Sequence, residues 1–136
     1  MTIESTTETP GAFRQIVRID AHTLHADSPV AAGGGASAPG PHDLFDASLA
    51  TCKALTACVY AKGHGIALDR VEARVTRDDS RERQGTYVLK VELAFFGALS
   101  DAEKQKLHDI VGKCPIHKLM TKVEIEIETA PRTTDA

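Results

Sequence analysis

The stretch DLFDASLATCKALTACVYAK, residues 43–62, decides how the rest of the chain folds. It holds no Gly or Pro and is rich in Ala and Leu, so it predicts one long helix from His42 to about Lys62, ended by Gly63 and Gly65. At about 100° per residue, Ala47, Ala50, Ala54, Ala57 and Ala61 share one side and form a ridge of small side chains. Phe45, Cys52 and Val59 lie opposite, with Leu55 and Thr56 beside them, and Asp46 and Lys53 form a narrow polar seam between the two faces. A helix this apolar is buried on most sides. The alanine ridge permits close approach of another backbone, and the neighbour expected there is the same helix of a second subunit.

Working outward, FRQIVRID (13–20) and HTLHAD (22–27) read as short strands, and SPVAAGGGASAPGP (28–41) as a long flexible loop. The loop carries no phosphate-cradling pattern. After the helix, RVEARVT (70–76) and TYVLKVELAFF (86–96) alternate apolar with polar residues and predict an antiparallel hairpin across the polar DDSRERQG. Ser100 and Glu103 form a capping box that opens an amphipathic helix ended by Gly112. In KCPIHKLM (113–120), Pro115 suits the first position of a short helix, which sets Cys114 just before it. KVEIEIET (122–129) alternates strictly and is the clearest predicted strand. Residues 1–12 are expected to be a flexible leader, 13–129 a single α+β domain and 130–136 a flexible tail.

Composition removes several function classes. The 136 residues carry 16 Lys and Arg against 19 Asp and Glu, a net charge of −3 with the basic residues scattered, which speaks against nucleic acid as a partner. No apolar run reaches the roughly 20 residues of a membrane span, and MTIESTTETP has no secretory character, so the expected location is the cytoplasm. A serine hydrolase lacks its G-x-S-x-G turn, and the glycines at 33–35 open no dinucleotide-binding helix. His22, His25, His64 and His108 stand at no informative spacing. Cys114 and His117 make a C-x2-H pair, but two ligands do not make a metal site, and none is expected.

The three cysteines remain. Cys52 and Cys58 are six residues apart on one helix, point about 120° apart and cannot bridge without unwinding it. Any internal disulfide must therefore use Cys114, and Cys52 is its better partner because Cys58 borders the alanine ridge. Cys114, at a helix N-terminus with Lys113, His117 and Lys118 nearby, has the positive surroundings that lower a thiol pKa. Cys52 has no such help from its own neighbours in sequence, and simple packing is the competing reading for it.

GPHDLFDASLATC (40–52) together with KCPIHKLM (113–120) resembles the OsmC/Ohr family of osmotically induced and organic-hydroperoxide-resistance proteins, and its OsmC-like subgroup in particular. The resemblance covers residues 13–129 and implies antiparallel sheets packed on a long central Ala-rich helix in an intertwined homodimer. It implies a cysteine-based peroxidase of antioxidant function, acting on organic hydroperoxides without metal or flavin. Cys52 would become a sulfenic acid and Cys114 would resolve it to a disulfide, after which an external dithiol of lipoyl or thioredoxin type would restore both. Phe45, Leu55 and Val59 would line the substrate pocket. The pattern departs in two places: His42 stands ten positions before Cys52 where Ohr-type members keep a Glu, and the 28–41 loop contains no Arg. Supporting roles then fall to Asp43, His42, Arg18 and His117, with Arg14 the other arginine that precedes the helix. The alternative is an OsmC-fold protein with weak or lost peroxidase activity that binds a small apolar ligand.

Overall fold

The computed structural model describes residues 1–133. Its architecture is α+β, with strands β1 (Ile3–Thr7), β2 (Gln15–Ile19) and β3 (His22–Ala26) followed by helix α1 (Pro41–Gly63). Strands β4 (Leu68–Asp78) and β5 (Val88–Gly97), then helices α2 (Asp101–Val111) and α3 (Pro115–Thr121), complete it. The first three strands form an antiparallel sheet in the order β1-β2-β3, and β4 and β5 pair in a second sheet of two strands. Contacts group the chain into two units, one of residues 1–51 and 74–92, the other of residues 52–73 and 93 onward.

In the first unit, the segment expected to be a leader is partly strand. Ile3 pairs with Ile19 and Thr7 with Gln15, so the β-prone Ile and Thr of a polar segment find a ready edge on β2. The 28–41 loop is pinned, where the sequence suggested flexibility. The Asp27 carboxylate accepts from the Ser37 hydroxyl at 2.6 Å, the Ser37 amide at 3.0 Å and the Ser28 amide at 2.7 Å. Those bonds, the Ser37 hydroxyl foremost, lower its pKa to about 2. Arg14 donates to both the carbonyl and the hydroxyl of Ser37, and it also pairs with Glu8. Gly34 belongs to this clamp, since a Cβ there would collide with the Ser28 carbonyl. A single 3-10 turn, Val30–Ala32, interrupts the loop.

In the second unit the core consists of Ala57 and Ala61 of α1, Phe95 of β5, and Leu107 and Val111 of α2, flanked by Tyr60, Ile66, Leu68, Val71, Leu93 and Leu99. The ridge residues Ala57 and Ala61 are thus covered by the chain's own side chains, which removes them as a surface for a second subunit. Both halves of the capping box at Ser100 and Glu103 form, and α2 opens where the sequence places it. Residues 122–130 are the main departure: they adopt no strand and are exposed, with Ile127 83% accessible. Alternation marks a segment fit to be a strand, but a strand needs an edge to pair with, and this one has none within the described residues. Residues 130–133 are likewise irregular, and 134–136 of the expected tail lie outside the described residues. No helix among the described residues is long and apolar enough to cross a membrane.

Candidate functional site

The two polar residues of the α1 seam prove to be its most informative positions. Asp46 is 8% exposed and Lys53 5% exposed, on the side of the helix that also buries Leu49 and Ala57. The apolar Phe45, Leu55 and Val59 face solvent instead, Val59 with 73% of its surface accessible. The seam is buried because each of its polar groups has partners, and burial without partners would cost several kcal/mol, about 2 to 7 on transfer scales.

Around Asp46, in the first unit, the Arg77 Nε donates to Oδ2 at 2.6 Å and the Tyr87 hydroxyl to Oδ1 at 2.7 Å. Arg77 also reaches Asp43 through Nη2 at 2.5 Å, and Asp43 Oδ2 accepts from the Gly40 amide at the start of α1. The Gly40 bond, followed by Arg77, holds the Asp43 carboxyl below the usual carboxylate range. Two carboxylates beside it hold Arg77 firmly protonated, Asp46 the stronger of them. Burial, reinforced by the bond to Asp46, pushes the Tyr87 phenol up to about 12. His42 bonds Glu82 at 2.9 Å and tilts against Tyr87, whose ring also meets Phe45 edge-on. An open cleft of about 670 Å³ lies here, lined by His42, Asp43, Arg77, Asp79, Glu82 and Arg83 among others. Asp43 and His42 are thus engaged in fastening the start of α1, and Arg18 is an exposed residue of β2. Neither Arg77 nor Tyr87 was singled out by the sequence, because each meets Asp46 only through the tertiary fold.

Around Lys53, in the second unit, the pattern differs. Lys53 Nζ donates to the Val111 carbonyl at the end of α2, 3.0 Å away, and to Nδ1 of His117 on α3, 3.1 Å away. The His117 amide in turn donates to Cys114 Sγ at 3.4 Å, where Cys114 caps α3 ahead of Pro115. Cys52 is half-buried, Cys114 fully buried and Cys58 exposed, and all three are free thiols. The Cys52 thiol lies close enough to Cys114 to act on its ionisation. The structure places Cys52, Cys114, His117 and Lys53 near one another.

The acidity expected of Cys114 is reversed. Burial pushes its thiol pKa up, and the neighbouring Cys52 adds to the rise. The His117 amide and the Lys53 charge act against it. Lys113 and Lys118, which the sequence offered as the local cations, are exposed, so the cation acting on the thiol comes from α1, 61 positions away in sequence at Lys53. A lysine four positions before Ala57 and four after Leu49, on the face that packs, is the sequence signal that marks it. Among the described residues no group of three or more His, Cys, Asp and Glu side chains gathers as a metal site would require.

A family model described as OsmC-like protein matches residues 33–130. A comparison with curated proteins gives no match. Among solved structures, the chain is similar to a Psychrobacter arcticus protein described as an osmotic stress induced and detoxification response protein, with 21% identity, 90% of this chain and 89% of that one covered, and a TM-score of 0.74. It is similar to an OsmC-like protein from Mycoplasma pneumoniae at 20% identity, covering 90% and 87%, TM-score 0.70. The organic hydroperoxide resistance protein OhrB of Bacillus subtilis matches at 25% identity, covering 90% and 92%, TM-score 0.57.

Proposed function

The chain belongs to the OsmC-like protein family, and on that premise we propose that it is a thiol peroxidase that reduces organic hydroperoxides through Cys52 and Cys114. What supports the reading is that a half-buried thiol and a fully buried one, both free, lie close enough to influence each other's ionisation. Similarity to an organic hydroperoxide resistance protein supports the peroxide-related redox role. In the first step the Cys52 thiolate attacks the terminal oxygen of the hydroperoxide. The O–O bond breaks, an alcohol leaves with a proton from solvent, and Cys52 is left as a sulfenic acid. Cys114 then displaces hydroxide from that sulfur, forming the disulfide and water. An external dithiol of lipoyl or thioredoxin type reduces the disulfide by exchange. The order of roles follows exposure, since Cys52 is half-buried with surface left for a substrate and Cys114 is fully buried.

The working form in this reading is a homodimer. The exposed Phe45, Leu55 and Val59 stripe of α1 and the unpaired 122–130 segment are apolar surfaces of the kind a second copy covers, and the same stripe would then give the alkyl tail of a hydroperoxide an apolar wall. Sedimentation equilibrium should return twice the 14.6 kDa chain mass, and Ile125→Lys with Ile127→Lys should lower it towards one. A monomer with an unchanged peroxidase rate would remove the dimer from the reading.

The central test follows loss of an alkyl hydroperoxide with dihydrolipoamide as reductant. Cys52→Ser should abolish turnover. Cys114→Ser should consume about one equivalent of peroxide and then stall. If wild type and both variants behave alike, the peroxidase reading fails.

A further inference from the structure

Lys53 is unusual for a buried cation in that no carboxylate meets it among the described residues: its partners are a main-chain carbonyl and an imidazole. An ammonium has three hydrogens, and these two bonds use two of them. Burying a positive charge is costly unless an opposite charge compensates it, so a site built this way favours the appearance of an anion close by. The ionisable groups around Lys53 are Cys52 beside it on α1, Cys114 ahead of α3 and His117 on α3. An imidazole supplies no negative charge, so of these groups it is the thiols that can do so.

We infer that Lys53 is the positioning residue of the disulfide-closing step, its ammonium compensating the thiolate that Cys114 must form before attacking Cys52. The inference rests on the peroxidase reading and names the device that drives one of its steps. Cys114 gives up its proton, and its thiolate attacks the sulfur of the Cys52 sulfenic acid. The S–O bond breaks as the S–S bond forms, and the departing hydroxide takes up a proton to leave as water. Cys114 sulfur is oxidised and Cys52 sulfur reduced, so no further oxidant is required. The Val111 carbonyl and the His117 ring aim the ammonium, and the His117 amide steadies the sulfur. Burial thereby keeps the thiol protonated at rest, while the His117 amide and the Lys53 charge favour its ionised form.

The test uses Lys53→Met, which keeps length and removes charge, Lys53→Gln, which keeps a donor, and Lys53→Arg, which keeps charge. In a Cys52→Ser, Cys58→Ser background, Cys114 is the sole thiol, and its ionisation is read from thiolate ultraviolet absorbance against pH. The midpoint should rise by about one pH unit or more in the Met and Gln variants and stay near its starting value with Arg. With the native cysteines and one equivalent of alkyl hydroperoxide, the Met and Gln variants should close the disulfide roughly tenfold more slowly. Their Cys52 sulfenic acid should meanwhile accumulate and be trapped by a cyclic 1,3-diketone. An unmoved midpoint in both neutral variants, or an Arg variant as slow as they are, overturns the role given to Lys53. A shifted midpoint in a protein whose wild type never links Cys52 to Cys114 overturns the peroxidase reading instead.

Discussion

Two buried charges seven residues apart on one helix have opposite fates. Asp46 meets a guanidinium and a phenol that match its charge and its lone pairs, with Arg77 bridging onward to Asp43. Lys53 meets a main-chain carbonyl and an imidazole, and its charge acts on the Cys114 thiol. The first arrangement is complete as it stands and fixes the start of α1 to β4 through Arg77. The second is complete only when a neighbour ionises, and that is the difference between a group that holds a fold and one that serves a reaction.

The contrast breaks most visibly at Asp46. Asp46→Ala leaves the Tyr87 hydroxyl without its acceptor and one side of Arg77 unmatched, and should cost about 2–3 kcal/mol in urea denaturation. Lys53→Met, equally buried, should change stability by less than about 1 kcal/mol in either direction, because removing an uncompensated charge offsets the two lost bonds. Equal losses at the two positions would mean that Lys53 is a structural anchor like its counterpart. A finer probe is the Tyr87 phenol. Its pKa in the folded chain is raised from 10.0 to about 12, so the protonated form is favoured by folding. Its contribution is present in full below pH 10 and is lost as pH climbs through about 12. A phenolate absorbance titration should show one tyrosine ionising near 12, and Asp46→Ala should lower that midpoint only in part, since the bond and charge of Asp46 would be gone while burial, the larger cause, remains.

Much of this architecture was legible beforehand because it is local. The α1 helix, the Ser100–Glu103 cap and the Cys114–Pro115 junction each follow from residues within a few positions of one another. What escaped depends on distant partners. The Asp46–Arg77 pair spans 31 positions and the Lys53–His117 pair 64, so a helical wheel shows the polar seam without showing what fills it. Such a wheel also ranks Phe45 and Val59 as interior and Lys53 as marginal, and the described chain inverts that order. Residues 3–7 were passed over for their polar composition, although an edge on β2 suffices to order them. The Asp27 clamp was hidden for a related reason: a glycine triplet signals freedom, yet here it lets the backbone draw close enough for a carboxylate to bind it.

The alternation of residues 122–129 also carries a safeguard. Val123, Ile125 and Ile127 make this an adhesive ribbon, while Glu124, Glu126 and Glu128 sit between them. Stacked in register on copies of itself, the ribbon would place identical glutamates about 4.8 Å apart, rung upon rung, with their repulsion summed along the fibril. Against an unlike strand the same glutamates are harmless. The segment can be sticky towards one docking edge and still resist amyloid.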